Sequence, residues 1–411
     1  MSNNFEQQLE KYAKLVVQVG INVQKDQPVH IIGTVEMAPL IRKLVKEAYA
    51  VGASYVYVDW GDDAVMRMRY ESASEETMGY FPKWEKDKRE EFMNKQACVI
   101  SITSSTPDLL KGIDSSRISK FQKAAGEALY EYRKAMQADK FSWTVIAGAG
   151  EAWAQKVFSD VSPEEAVQKL WEAIFKAVRL DAADPVQAWK EHNDTLEAKA
   201  AKLNEYRFKK LHYTAPGTDL TIELNDKHLW VAAGSVNAQG FPFMANMPTE
   251  EVFTVPERNG TNGYVSSTKP LSYGGNVINE FKVTFENGRI VKYEAKQGED
   301  ILGKLVDIDE GAKYLGEVAL VPHRSPISES GILFYNTLFD ENASNHLALG
   351  SGYAFNIEGG KTMNADELKE HGVNASITHN DFMIGSEHMN IDGIQADGTV
   401  IPVFRNGAWA F

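Results

Sequence analysis

Residues 28–60 read PVHIIGTVEMAPLIRKLVKEAYAVGASYVYVDW, and this stretch indicates how the first half of the chain folds. Its two ends, PVHIIG and YVYVDW, are short apolar runs of the kind that form buried strands. Between them, Leu40, Leu44 and Ala48 recur at helical spacing. The pattern therefore predicts a strand, a helix and a second strand in succession.

The same alternation continues on both sides of this stretch. Apolar residues at helical spacing in FEQQLEKYAKLV precede it, and ACVISI (97–102) and TVIA near residue 145 follow it as further strands. A long helix predicted from about Pro185 to Asn204 closes this half of the chain. Strands that alternate with helices predict an α/β domain with a mostly parallel sheet that is covered on both faces.

In the second half, the pattern changes to strands joined by tight turns. The segment KVTFENGRIVKYEA predicts a hairpin, because Asn287-Gly288 supplies the two residues that a type I′ turn needs. Asp397-Gly398 repeats this arrangement near the end of the chain. We therefore predict two domains, an α/β domain at 1–206 and a β-rich α+β domain at 207–411.

Composition and charge exclude several classes of function. The chain has 411 residues, and Asp and Glu outnumber Lys and Arg by 57 to 43, which gives a net charge of −14. A strongly acidic protein is repelled by nucleic acids and by anionic membranes, so neither is expected as a partner. MSNNFEQQLEKYAKLV has no signal-peptide pattern, and no apolar run is long enough to span a membrane. One cysteine, Cys98, excludes a disulfide framework and favours the cytoplasm.

Two of the nine histidines lie in segments that could bind a metal ion. In SITHNDFMIG, His379 and Asp381 are two residues apart, so an extended backbone places both on the same face. A histidine and a carboxylate on one strand face can share a metal ion. The same pair could instead form a hydrogen bond in a loop or face solvent on a polar strand. His346, in ENASNHLALGSGY, is the second candidate.

Three glutamates stand out in apolar surroundings. Glu317 is the lone carboxylate in LGEVALV, where burial is costly unless the group is paired or binds a metal, although it could also point outward from an edge strand. In NMPTEEVFT, Glu250 and Glu251 lead into an apolar run. Glu341 precedes His346 by five residues, a spacing that does not stack them on one helix face.

Together these segments offer a set rich in carboxylates and poor in histidines, which suits a pair of divalent cations. The candidate ligands are Glu251, Glu317, Glu341, His346, His379 and Asp381. The sequence contains neither the HExxH motif of single-zinc peptidases nor the GxSxG motif of serine hydrolases.

Four blocks of the sequence, NMPTEEVFT, LGEVALVP, FDENASNHLALGSGY and SITHNDFMIGS, resemble the thermophilic-type metalloaminopeptidase family in order and spacing. This family includes aminopeptidase T, aminopeptidase S and PepS-like enzymes. The resemblance covers the whole chain. It implies two divalent ions (zinc, cobalt or magnesium) held by the six residues above in the C-terminal domain. Glu317 would bridge the ions, and Glu251 is preferred to Glu250.

The resemblance also implies catalytic roles and an assembly. Tyr353 corresponds to an active-site tyrosine. As a separate hypothesis about the mechanism, we expect Glu317 or Glu341 to act as the general base. The family is typically homodimeric, with N-terminal domains that restrict access to the site. The expected function is hydrolysis of the N-terminal residue of peptides through a water activated by two metal ions.

Three other functions remain open from the sequence. Another dinuclear hydrolase, an amidase or a phosphoesterase, would use a similar set of ligands. A nucleotide-binding oxidoreductase is suggested by the alternating first half, although AGAGEAWAQ has Trp153 where a dinucleotide loop has its third glycine. A metal-binding module without catalytic activity is the third alternative.

Overall fold

Residues 28–60 form the predicted strand, helix and strand in the computed structural model, which describes residues 3–273 and 275–411. None of the helices in these ranges is both long and apolar enough to cross a membrane. The helices are α1 (Asn3–Leu15), α2 (Ala38–Ala50), α3 (Asp63–Ser72), α4 (Glu75–Met78), α5 (Lys83–Asn94), α6 (Ser115–Ala128), α7 (Tyr130–Gln137), α8 (Glu151–Val157), α9 (Pro163–Ala177), α10 (Pro185–Tyr206), α11 (Glu299–Val306), α12 (Pro326–Ser330), α13 (Thr337–Asp340) and α14 (Ala365–Glu370).

Within residues 3–273 and 275–411, the strands are distributed among four sheets. They are β1 (Pro28–Thr34), β2 (Tyr55–Gly61), β3 (Cys98–Thr103), β4 (Trp143–Ala147), β5 (Lys210–Ala215), β6 (Thr218–Leu224), β7 (Gly234–Val236), β8 (Pro242–Met244), β9 (Asn246–Met247), β10 (Val252–Thr254), β11 (Pro256–Ser266), β12 (Leu271–Tyr273), β13 (Asn276–Glu286), β14 (Arg289–Gln297), β15 (Leu315–Leu320), β16 (His346–Gly350), β17 (His379–Met383), β18 (Asn390–Ile394), β19 (Val400–Arg405) and β20 (Ala408–Trp409).

Four strands of the first half of the chain and β9 from the second half form a parallel sheet with the strand order β2-β1-β3-β4-β9. Each neighbouring pair in it is parallel. Helix α2 connects β1 to β2 and buries Leu40, Ile41 and Leu44, which are at most 1% exposed. The prediction of an α/β domain with a parallel sheet is confirmed.

The second half is dominated by antiparallel strands. A large sheet has the order β12-β13-β11-β6-β5-β18-β19-β20, with β14 added beside β13. The β13–β14 hairpin turns at Asn287 and Gly288, which have φ angles of 49° and 80°, so both residues have the positive φ that a type I′ turn requires. A separate four-stranded sheet has the order β10-β15-β16-β17. The β-rich fold predicted for this half is also confirmed.

Contacts divide the chain into two compact units. One comprises the residues up to Glu191 together with Gly234–Pro248, and the other comprises His192–Ala233 and Thr249–Phe411. The division at residue 206 inferred from the sequence stays a prediction.

The four-stranded sheet of the second unit has two unlike faces. Val318, Leu347 and Phe382 form one cross-strand row that packs into the large hydrophobic core of this unit. Because side chains alternate along each strand, the neighbouring residues point to the opposite face. That opposite face holds the polar residues of the candidate site.

Candidate metal centre

The register of the four-stranded sheet aligns the predicted ligands on one face. Glu317 on β15 lies opposite Ala348 on β16, and Ala348 lies opposite Asp381 on β17. His346 is two residues before Ala348 and His379 is two residues before Asp381, so both histidines share this face. Three strands that are far apart in the sequence therefore place four candidate ligands side by side.

A β-bulge at Gly316 determines the direction of Glu317. The register between β15 and β16 shifts between Leu315 and Glu317, so β15 contains one extra residue there. Leu315 packs in the hydrophobic core, whereas Glu317 faces the other ligands. A Cβ atom at Gly316 would lie 2.4 Å from the carbonyl oxygens of both Gly350 and Ser351. Only glycine fits at this position.

The distances define two adjoining groups. His346 Nε2 lies 3.1 Å from Glu251 Oε2 and 3.5 Å from Glu317 Oε1. His379 Nε2 lies 3.6 Å from Glu317 Oε2 and 3.3 Å from Asp381 Oδ1. Within each group, the potential ligand atoms lie within 4.8 Å of one another. Glu317 belongs to both groups and turns a different oxygen toward each histidine.

Hydrogen bonds orient both imidazole rings. Nδ1 of His379 donates to the carbonyl oxygen of Ser351 at 2.7 Å, and Nδ1 of His346 donates to the carbonyl oxygen of Ser344 at 3.2 Å. A carbonyl oxygen can only accept, so the proton must be on Nδ1. In the neutral ring, the lone pair of Nε2 then faces the carboxylates, which is the arrangement found in metal-binding histidines.

The burial of these groups provides a test of whether they suit metal ions. His346, Glu317, Glu251 and Asp381 are all less than one-tenth exposed. Among the described residues, Glu251 Oε2, His346 Nε2 and Asp381 Oδ1 are buried and make no well-aligned hydrogen bond, although each lies within 3.3 Å of a neighbouring side chain of the cluster. Buried polar atoms without partners are costly, and a divalent cation between them would remove that cost. The residues therefore fit a metal centre.

The pKa directions reflect the same concentration of charge. Burial raises the pKa of Glu317 above the ordinary carboxyl value. Burial by itself would lower the pKa of His379, but Asp381 and Glu317 outweigh it and raise this pKa to about 10. The pKa of His346 is likewise raised well above its usual value by Glu251 and Glu317 against the effect of burial. Ion binding must displace these protons and should weaken in acid.

Glu341 and Glu250 lie beside the two groups but outside them. Glu341, on a 3₁₀ turn after α13, shares a cavity of about 30 Å³ with Asp381. Burial and the charges of Asp381 and Glu251 raise the pKa of Glu341 well above its ordinary value. Glu250 Oε2 lies 3.6 Å from Nε2 of His192. Of the two neighbouring glutamates, it is Glu251 that contributes to the His346 group.

Tyr353 borders the centre next to His379. Their ring centroids are 4.8 Å apart. Burial, together with the negative charges of Glu317 and Asp381, raises the pKa of the Tyr353 phenol above its ordinary value. The phenol therefore keeps its proton at neutral pH and remains a hydrogen-bond donor. His388, another histidine of the second unit, is exposed, and its Nε2 lies 3.8 Å from Oε1 of Glu387.

Reasoning from the sequence missed Asn342, which joins two ligand segments. Asn342 is fully buried, and its Oδ1 accepts the backbone N–H of Glu250 at 2.7 Å. Its Nδ2 donates to the carbonyl oxygen of Leu338 at 3.2 Å and to Oε1 of Glu341 at 3.4 Å. The sequence indicates a role for Asn342 only through its position between Glu341 and His346. Its hydrogen-bond partner Glu250 lies far away in the sequence, so no local pattern reveals the contact.

A buried cluster of carboxylates and two imidazoles on one face of a β-sheet is typical of metalloenzymes. Residues 5–409 match the thermophilic metalloprotease (M29) family, and the chain belongs to this family. The resemblance noted in the sequence is thereby confirmed.

Curated relatives and a solved structure are similar over nearly the full chain. Aminopeptidase AmpS of Bacillus subtilis (strain 168) is 59% identical over 409 residues, which cover 100% of both chains. Aminopeptidase PepS of Streptococcus thermophilus is 53% identical over 407 residues, covering 99% of this chain and 98% of that one. Wild-type AmpT from Thermus thermophilus has a TM-score of 0.93 at 39% identity, covering 99% of this chain and 100% of that one.

Proposed function

We propose that this chain removes the N-terminal residue from peptides with the help of two divalent cations bound in the centre described above. The chain is a metal-dependent aminopeptidase, a hydrolase, by its family and by the names of its relatives. The observation that supports two ions is the position of Glu317, which directs Oε1 toward His346 and Oε2 toward His379. Bridging carboxylates of this kind are typical of dinuclear hydrolases.

The two groups of ligands suggest how the ions would be held. Glu251, Glu317 and His346 would bind one ion, and Glu317, His379 and Asp381 the other. Glu341 lies close enough to interact electrostatically with Asp381 and Glu251, so we propose it as the sixth ligand. Zinc, cobalt and magnesium are the candidate ions, because a mixed set of carboxylate and imidazole ligands accepts each of them.

When bound, divalent ions of this kind lower the pKa of a coordinated water toward about 7 and polarise the scissile carbonyl group. Glu341 would accept the proton of the attacking water and return it to the amine that leaves, because Glu317 would use both of its oxygens to hold the ions. Tyr353, protonated at neutral pH, donates a hydrogen bond to the oxygen that becomes negatively charged during attack. An ionised carboxylate of the centre attracts the free amino group of the substrate, which restricts cleavage to the first residue.

Removal of the metal ions tests this proposal. Exhaustive chelation should abolish hydrolysis of leucyl-p-nitroanilide, and addition of zinc, cobalt or magnesium should restore it. Glu317→Gln should lower the measured stoichiometry from two ions per chain and reduce kcat at least a hundredfold. The matched control Glu387→Gln changes an exposed glutamate and should leave both unchanged. Full activity after chelation, or unchanged ion binding in Glu317→Gln, would refute the proposal.

The other functions considered from the sequence receive no support. The relatives described above are named as aminopeptidases, and none is named as a phosphoesterase or an oxidoreductase. A substrate panel provides the direct comparison. Aminoacyl-p-nitroanilides should be cleaved, whereas p-nitrophenyl phosphate and acylated amino-acid anilides, which lack a free amino group, should not be.

We also propose a cytoplasmic location and a homodimeric assembly. Cys98 is the sole cysteine and is buried, which suits a reducing compartment. The homodimer rests on the family resemblance alone. Cell fractionation tests the location, and sedimentation equilibrium of the metal-loaded protein tests the assembly. A single species at the monomer mass of 45.8 kDa would exclude the dimer.

A further inference from the structure

Three aromatic side chains form a continuous surface beside the metal centre. Phe253, Tyr353 and Phe355 make up this aromatic wall. The rings of Tyr353 and Phe355 are stacked, with centroids 5.1 Å apart and an interplanar angle of 10°. Phe253 meets Phe355 edge-on at 6.0 Å and Tyr353 at 6.5 Å.

The aromatic wall adjoins the proposed ligands on two sides. Phe253 is two residues after Glu251 and lies opposite Ala319 on β15, which in turn lies opposite His346 on β16. Phe253 therefore shares the sheet face of the ligands. On the other side, the Tyr353 ring contacts the ring of His379. A molecule held at the centre would meet these rings directly.

The wall is not needed to fill the hydrophobic core. All three aromatic residues are only partly buried, whereas Val252, next to Phe253, is fully buried in the core. A partly exposed apolar surface next to a polar centre is typical of ligand-binding sites, in which few polar groups orient a ligand and apolar walls bind the rest.

We propose that the aromatic wall binds the side chain of the substrate's first residue and selects apolar side chains. This inference rests on the proposed function, because it assumes that the amino group and the scissile bond lie at the centre. The first side chain branches from the carbon between these two groups, so it must project to within a few ångströms of the ligands. An apolar side chain gains free energy by covering the rings, whereas a charged side chain would lose hydration that apolar rings do not replace.

The substitution Phe355→Ala tests selectivity. It should lower kcat/KM about tenfold for leucyl- and phenylalanyl-p-nitroanilide, and by less than twofold for glycyl-p-nitroanilide, because glycine has no side chain to bind. Phe355→Leu should recover part of the loss. The matched control Tyr264→Ala removes a partly exposed ring from β11 and should leave all three values unchanged.

A binding measurement separates this inference from the proposed function. Calorimetry on the metal-loaded protein should show that leucinol binds more tightly than ethanolamine, and Phe355→Ala should remove most of this difference without changing the number of bound ions. This readout does not require hydrolysis. Equal losses for leucyl and glycyl substrates, or a larger loss for arginyl-p-nitroanilide, would overturn the inference. Absence of any peptidase activity alongside selective leucinol binding would overturn only the proposed function.

Discussion

Asn342 shows how much a buried residue can contribute without being one of the proposed ligands. Its side-chain amide connects the backbone at Glu250 to the side chain of Glu341. Its main-chain carbonyl oxygen accepts a hydrogen bond from Ser325 Oγ at 3.0 Å. The two ligand segments are thus held together by one amide. Such supporting hydrogen bonds orient metal ligands and are a large part of the design of a metal site.

We expect Asn342→Ala to lower the affinity for divalent ions by about 10- to 100-fold. The free energy of unfolding should fall by about 1–3 kcal/mol, because the N–H of Glu250 loses its partner in a buried position. Titration with zinc, followed by calorimetry, measures the first effect, and denaturant unfolding measures the second.

The control for this prediction is Asn364→Ala. Asn364 caps helix α14 and is exposed, so its loss should cost about 1 kcal/mol of stability without affecting the metal centre. If both variants bind zinc with unchanged affinity, the prediction that Asn342 positions the metal ligands is wrong. A loss of affinity in both would indicate a general effect of reduced stability.

At the scale of the structural element, two features of the four-stranded sheet bring the proposed ligands together. They are the alternation of side chains along each strand and the bulge at Gly316. Ala348 is fully buried and lies in register between Glu317 and Asp381. Its methyl group is small, so space remains between the two carboxylates. The strand therefore contributes a small residue at the position where the ions would lie.

Ala348→Leu should therefore prevent ion binding while retaining every proposed ligand. The larger side chain would occupy the space between the carboxylates, and we expect fewer than one bound ion per chain and no hydrolysis. Metal analysis after gel filtration, together with circular dichroism to verify the fold, provides the measurement. Leu347→Met, a change of similar volume on the core face of the same strand, should retain both ions. Two bound ions in Ala348→Leu would contradict the prediction.

The extent to which the sequence predicts this element depends on distance along the chain. Alternation within one strand was enough to place His379 and Asp381 on a common face, because it is a local property. The register among β10, β15 and β16 was not predictable, since it is set by pairing between distant segments. The bulge at Gly316 depends on a carbonyl approach that the sequence does not encode locally. Glu341 lies on a 3₁₀ turn, where no simple periodicity applies.

The sequence also predicts only part of the parallel sheet. Its first four strands were predicted from apolar runs and intervening helical patterns. Its fifth, β9, contains only Asn246 and Met247, so it is too short to produce a pattern. Phe253 and Phe355 were overlooked for a related reason, because an aromatic residue in a strand or turn is ordinarily part of the core.

For the whole molecule, buried histidines outside the centre predict how stability depends on pH. His228 is 3% exposed, its Nδ1 donates to the carbonyl oxygen of Asn225, and burial lowers its pKa below the ordinary value. The folded protein therefore disfavours the charged ring. Below about pH 6.5 the unfolded chain binds more protons at this residue than the folded chain, so stability falls as the pH decreases.

We expect His228→Asn to reduce this pH dependence. Between pH 6.5 and 5, the free energy of unfolding of the wild type should fall more steeply than that of the variant, by at most about 1.4 kcal/mol per pH unit. Denaturant unfolding at a fixed excess of zinc measures both curves. At pH 8 the His228 ring is neutral in both the folded and the unfolded state. The difference in the free energy of unfolding between the wild type and the variant should therefore not change with pH there. Parallel curves over the acidic range would contradict the prediction.

The shared carboxylate of Glu317 has a consequence for how the centre would be assembled. When ionised, Glu251, Glu317, Glu341 and Asp381 supply four negative charges, which two divalent cations would balance. A single cation would leave two buried negative charges for protons to compensate, and the raised pKa values of His346 and His379 show that these rings take up such protons when no ion is bound. Entry of the second cation should therefore expel the protons that remain, so a calorimetric titration in buffers of different ionisation enthalpy should detect proton release with each ion.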